Sequence, residues 1–234
     1  MSRILLIFLI TACAMPALAQ ETASPVGTSE WGRLINAVAL PLESPAHLKI
    51  SRVRQRWWGT RTLVDFILGV AEALQTESSP PQRLIVGDLS GRRGGDISLH
   101  RSHENGLDVD LGYPTLSGAE QDADGDHSFL HAMVDRLSGR ISTDFNLEAS
   151  WALVRAAVRS HLVQRIFLAP EIKRLFCQHA TERGELETEA ETLWRLTPLR
   201  NHHDHLHVRL YCPAGATHCR NMPDPAPHLG CDED

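Results

Sequence analysis

Two short segments of the chain gather groups that bind divalent metals and move protons. The first, Ser102-His103-Glu104-Asn105-Gly106-Leu107-Asp108-Val109-Asp110, sets a histidine seven residues before an aspartate, with Gly106 between them where a sharp turn is possible. The second, His205-Leu206-His207, places two imidazoles on alternate residues, which on a strand point to the same face. A catalytic zinc takes three protein ligands of N or O type and keeps a fourth position for water. The two segments together offer enough donors for such a site. Each half also has a bland reading: His-x-His on a strand is often a pair of half-exposed polar residues, and one histidine near one aspartate is a weak pattern.

Other residues invite a role and carry less. Asp122, Asp124 and Asp126 lie in Glu120–His127, which reads as a surface turn. It lacks the glycine at the sixth position and the glutamate at the twelfth that a calcium loop needs. Trp57-Trp58 could stack on a sugar, although adjacent tryptophans are more often one core residue and one partly covered one. Arg92 and Arg93 flank a glycine-rich loop and are candidates for substrate carboxylates, against the commoner reading of surface arginines. His127, His131, His161, His179, His218 and His228 show no ligand spacing.

The elements that must position these groups can be read from hydrophobic periodicity. Leu63, Phe66, Ile67, Val70 and Leu74 recur at helical spacing over Thr62–Leu74, and a second helix is expected over Glu148–Arg159. Arg83–Val86, Gln164–Leu168 and His205–Tyr211 read as strands, and Leu107–Leu111 alternates apolar and acidic residues as a half-buried strand does. Pro170–His179 reads as a helix begun by proline in its first turn. Helices and strands mix without a regular βαβ order and without internal repeats. An α+β fold is expected, a small antiparallel sheet with flanking helices.

The bulk properties narrow the setting. Met1-Ser2-Arg3, the apolar run Ile4–Ile10 and Ala17-Leu18-Ala19 have the three parts of a cleavable export signal, residues 1–19. The run is too short to anchor the chain across a bilayer. A lipoprotein signal ending at Cys13 is the second reading of the same segment. Gln20–Glu30 is polar and poor in pattern, a flexible leader, and 31–234 fits one domain with a sizeable core. A formal net charge of −6 gives no basic face and argues against nucleic acid as a partner. Four cysteines follow the signal, Cys177, Cys212, Cys219 and Cys231, and in an exported chain they read as disulfides. The short Pro/Gly loop between Cys212 and Cys219 favours pairing these two, and so Cys177 with Cys231. A zinc held by the four thiolates is disfavoured because no C-x-x-C pair is present.

Gly87-Asp88-Leu89-Ser90, the glycine-rich loop after it, His100-Arg101-Ser102-His103-Glu104-Asn105-Gly106-Leu107-Asp108-Val109-Asp110 and His202-His203-Asp204-His205-Leu206-His207-Val208-Arg209-Leu210-Tyr211-Cys212-Pro213 resemble the penicillin-insensitive murein endopeptidases, a family of LAS-type metallopeptidases. The likeness runs from about Leu84 to Cys231 and includes Arg165-Ile166-Phe167, Pro170-Glu171-Ile172-Lys173 and the four late cysteines. It implies the LAS-type fold and a periplasmic zinc peptidase that cuts the D-alanyl–meso-diaminopimelyl cross-link of peptidoglycan. It also implies His103, Asp110 and His207 as metal ligands, with His205 and His202 around the bound water and substrate. His100 matches a position that serves a second metal in the family. Between Met133 and Phe145, where the family carries a further Asp and His, this chain has Leu137-Ser138-Gly139-Arg140. That departure makes His100 a neighbour rather than a ligand.

The implied mechanism is a zinc-activated water, with His205 as the base and His202 as a hydrogen-bond partner of the oxyanion or the substrate. Asp204 is the alternative base; strand alternation equally reads it as a solvent-facing residue. Asp108 shares a face with Asp110 and is expected to orient a ligand imidazole. The rival functions are a D,D-carboxypeptidase or dipeptidase on the same fold, and a non-catalytic periplasmic module binding metal or cell-wall peptide.

Overall fold

A computed structural model describes residues 23–124, 130–225 and 230–231. The expected export signal with Cys13, as well as Asp126, His127 and His228, lies outside them. In chain order the elements are β1 (Ser24–Gly27), β2 (Gly32–Ile35), β3 (Val38–Ala39), β4 (His47–Lys49), β5 (Trp58–Gly59), α1 (Arg61–Glu77), β6 (Leu84–Val86), β7 (Asp108–Gly112), α2 (Leu147–Arg159), β8 (Val163–Leu168), α3 (Pro170–Glu182), α4 (Ala190–Arg195), β9 (Leu196–Pro198) and β10 (His205–Leu210). Helices and strands are mixed, with one six-stranded sheet and two small two-stranded ones.

The large sheet has the order β4-β6-β7-β10-β8-β9. Its centre is antiparallel, as expected, but both outer pairs, β4 with β6 and β8 with β9, are parallel. The sheet is therefore mixed. The parallel crossovers run through α1 and through α3 and α4, which is the only economical way to return a strand in the same direction.

Local chemistry explains the element ends. Thr60 caps α1 by accepting from the Leu63 amide at 3.1 Å, and Asn146 caps α2 by accepting from Ala149 at 3.1 Å. Pro170 opens α3, where its missing N–H loses nothing. The apolar stripes of α1 and α2 join α3 and the inward residues Val109, Leu111, Leu206, Val208 and Leu210 of β7 and β10 in one core. Cys177–Cys231 and Cys212–Cys219 are the two disulfides, tying α3 to the C-terminal segment and closing the loop after β10.

Two expectations need correction. The polar leader 20–30 contains β1, which pairs antiparallel with β2; Gly27 also accepts from the Arg220 amide. Backbone pairing, to which side-chain pattern is blind, orders that stretch. Strand β7 is buried at every position instead of half-buried, because its acidic face is covered by the loop carrying His103. The short elements β1 to β5, α4 and β9 escape periodicity because few of them complete even two periods.

Candidate metal centre

The register of the two central strands builds the site. His207 faces Asp110 across the β7–β10 pair, and Arg209 faces Asp108. Directly opposed residues share a face, so two carboxylates, one imidazole and one guanidinium rise from the same side of the sheet. Beyond β6, Gly87 N–H donates to the Asp110 carbonyl (2.8 Å) and Asp110 N–H to the Asp88 carbonyl (3.0 Å), which brings Asp88 alongside. The His103 loop folds back over this face through Gly106, whose φ of +76° is left-handed; a Cβ there would come within 2.7 Å of Leu34 Cδ2. His103 itself has a φ of +68° and is fully buried. Glu104 holds the loop against the β1–β2 hairpin, accepting from the Gly32 amide at 2.9 Å.

Asp110 Oδ1 is the point of convergence. It lies 3.2 Å from His103 Nε2, 3.3 Å from His207 Nδ1 and 3.5 Å from His205 Nε2. Two triplets, His100/His103/Asp110 and His202/His205/His207, each have donor atoms within 4.8 Å of one another. The expected set His103, Asp110 and His207 draws on both, and His205 joins the same cluster. A tetrahedral cation with bonds of ~2.0–2.2 Å separates its donors by roughly 3.3–3.5 Å, close to these spacings. Among the described residues, both ring nitrogens of His103 and Asp110 Oδ1 are buried without a hydrogen-bond partner. Such orphans are expensive in a folded protein, and a cation held between His103 Nε2 and Asp110 Oδ1 satisfies two of the three. The donor set fits a divalent metal.

Behind the cluster stand carboxylates. Asp108 lies 3.3 Å from His207 Nε2, accepts from the His103 amide at 3.2 Å and takes a two-pronged hydrogen bond from Arg209 at 3.0 and 3.1 Å. Burial alone would raise its pKa, yet Arg209 and His207 hold it well below the usual carboxylate range. Asp88, which sequence reasoning left without a role, plays the matching part for His100. It accepts from His100 Nε2 (3.0 Å), Arg54 (2.6 Å) and Arg56 (3.0 Å). Its pKa is lowered despite burial, by His100, Lys49 and Arg54. Gly87-Asp88 directly after a strand was the available clue; nothing local marks the two arginines. His100 Nδ1 is 3.8 Å from Asp110 Oδ2, at the margin of the cluster.

Asp204 is neither solvent-facing nor placed among the converging donors. It is buried in the turn that leads into β10, and it accepts a 2.7 Å hydrogen bond from His205 Nδ1. Burial pulls the His205 imidazole down, but Asp110 and Asp204 outweigh it and leave its pKa raised. His202 Nδ1 sits 3.2 Å from the carbonyls of Leu199 and Arg200. Carbonyls only accept, so Nδ1 carries the proton. Burial and the neighbouring His205 and His207 push the His202 pKa down to about 4. A neutral ring protonated at Nδ1 presents Nε2 as an acceptor. The Tyr113 hydroxyl donates to the His202 carbonyl at 3.0 Å and fixes the turn.

The cluster lies in the floor of a cleft of about 880 Å³. Neither Arg92 nor Arg93 lines it; Arg92 lies over the Trp58 ring at 5.3 Å. Trp57 packs against the core, as adjacent tryptophans commonly do. The His100-to-Asp110 and His202-to-His207 segments do meet. His179 is buried elsewhere, edge-on to Trp151, while His131, His161 and His218 are exposed.

Imidazoles and a carboxylate converging from one face of a sheet, in the floor of an open cleft, supply what a metallopeptidase needs. Residues 25–234 match the model of the family described as penicillin-insensitive murein endopeptidase. The chain belongs to that family. It is similar to a penicillin-insensitive murein endopeptidase of Haemophilus influenzae, 31% identical over 214 residues, covering 91% of this chain and 72% of that protein. Proteins of the same name from Escherichia coli O157:H7 and Klebsiella pneumoniae are 29% identical, each match covering 90% of this chain and 74% of theirs.

Proposed function

We propose that this chain is a periplasmic murein D,D-endopeptidase of the LAS-type fold, a single domain that includes β1 and follows an export signal. It hydrolyses the D-alanyl–meso-diaminopimelyl cross-link of peptidoglycan with a zinc ion held by His103, Asp110 and His207. The observation that carries the reading is the convergence of three imidazoles on Asp110 Oδ1 in the cleft floor. Bound zinc supplies a positive charge that acidifies a coordinated water towards a pKa of ~7 and polarises the scissile carbonyl.

The chain's own residues do the rest. Asp108 holds the His207 ring from behind while Arg209 holds Asp108. His205 gives its Nδ1 proton to the Asp204 hydrogen bond and turns Nε2, 3.5 Å from Asp110 Oδ1, towards the reacting centre. It is therefore oriented to take a proton from the attacking water and to return it to the leaving amine. Asp204, committed to His205, orients that base; it is not the base itself. His202 Nε2 accepts a hydrogen bond from a substrate N–H or from water. His100, held by Asp88, borders the cluster without completing it.

The test is mass spectrometry of muropeptide dimers after incubation with the mature, metal-loaded protein. Conversion of dimers to monomers is expected. Loss of terminal alanine with the dimers intact would assign the chain to D,D-carboxypeptidases, and binding without any product would leave only a binding module.

A further inference from the structure

The mouth of the cleft carries a charge pattern that neither the metal cluster nor the fold requires. The chain has a formal net charge of −6, and the buried carboxylates of the floor, Asp88, Asp108 and Asp110, face the imidazoles and guanidinia around them. The charges left over at the mouth are cationic. Arg101 on the His103 loop, Arg136 on the segment before α2 and Arg200 on the turn before β10 all line the cleft and are exposed. Among the described residues, no carboxylate lies within the 4.0 Å of an ion pair with any of the three. Arg136 Nε is 3.0 Å from the His203 ring, a contact that leaves its charge in place. The one acid on the rim, Glu30, stands 4.0 Å from Arg209. Three segments remote in sequence thus bring like charges to the lining of one opening, which favours an anionic ligand there.

We propose that Arg101, Arg136 and Arg200 form a carboxylate-reading rim that recognises the cross-linked peptide by its free carboxylates and discriminates against amidated cross-links. The inference rests on the endopeptidase reading. Diaminopimelate has two carboxylates, and the one on the carbon bearing the cross-linking nitrogen remains free, two bonds from the attacked amide. A guanidinium meets a carboxylate with two parallel hydrogen bonds and full charge. A carboxamide at the same place removes the charge and one acceptor oxygen. Specificity set at the mouth leaves the chemistry of the floor unchanged, so it shows in binding before it shows in turnover.

The experiment compares two muropeptide dimers that differ only in amidation of diaminopimelate. Binding is measured by titration calorimetry on the metal-loaded His205→Ala protein, whose turnover is slowed enough to read binding first, and cleavage on the wild type. The amidated dimer is expected to bind about 10-fold more weakly, the loss of one carboxylate's charge and hydrogen bonds at an exposed cationic rim. The preference should vanish when Arg101→Gln, Arg136→Gln and Arg200→Gln are added together, and shrink at about 0.5 M NaCl. Each single variant should retain part of it, which guards against a misfolded triple variant. Equal binding of both dimers, or an undiminished preference in the triple variant, would overturn the rim. A binding preference with no cleavage of either dimer would uphold the rim and overturn the endopeptidase reading instead.

Discussion

The two faces of the β7–β10 pair are both buried, yet they are stabilised by different physics. One face presents Val109, Leu111, Leu206, Val208 and Leu210, each at most 2% exposed, to the helices. The other presents Asp108, Asp110, His207 and Arg209, at most 6% exposed, to a covering loop. The apolar face gains from dispersion and dehydration and is indifferent to which partner supplies them. The polar face must match every charge and hydrogen bond, and where Asp108 and Arg209 succeed, His103 and Asp110 leave atoms unmatched. The lesson is a division of labour one residue deep: alternate positions on the same strand hold the fold or hold the site.

That division can be broken in measurable ways. The largest effect is expected from Asp110→Ala, which should lose its metal by elemental analysis and fall at least about 10³-fold in cleavage, or about 4 kcal/mol of barrier. Its urea midpoint should stay near that of the metal-free parent; an unfolded variant would show that the two faces are not separable. His205→Ala should keep the metal and lose about 10²–10⁴ in kcat, and full activity would remove it as the base. Leu111→Ala, one residue from Asp110, should cost about 3 kcal/mol in urea unfolding while the folded protein turns over at the parent rate.

Smaller effects separate Asp108 from the ligands. Asp108→Asn should weaken metal affinity about 10–100-fold without abolishing it. The same residue shapes the acid limb of stability. Its folded pKa is depressed by Arg209 and His207 in spite of burial, so its contribution is present above the unfolded value of ~3.9 and is lost as pH falls below it. Urea titrations of metal-free protein should therefore show a stability that drops by about 1–2 kcal/mol below pH ~4. The drop should be shallower in Asp108→Asn; an identical slope would assign the acid limb to the other depressed carboxylates, Asp88 and Asp110.

Much of this was legible before any coordinates. Apolar helical spacing marked α1 and α2 to within a few residues, since each runs over several turns, and Pro170 marked the start of α3. The pairing of cysteines followed from a short loop. The two histidine- and aspartate-bearing segments were candidates by residue type and spacing, and the family resemblance, rather than spacing, singled out His103, Asp110 and His207 as expected ligands. Less legible was how they are held. Asp88 with Arg54 and Arg56 is set by contacts across about 30 residues of chain, which no local pattern encodes. The parallel outer strands were equally hidden, because three-residue strands carry no period.

What the sequence by itself determined is the inventory: which side chains can bind a cation, which alternate inward, and which family the chain resembles. Those depend on residue type and on the fixed period of strand and helix, both local properties. Only the tertiary structure decided the assignments within that inventory. The β7–β10 register put His207 opposite Asp110, the turn before β10 buried Asp204 behind His205, and backbone carbonyls fixed the His202 proton on Nδ1. Hydrogen-bond partners come from whichever backbone the fold brings near, so a residue's chemical role is settled only when the chain has closed around it.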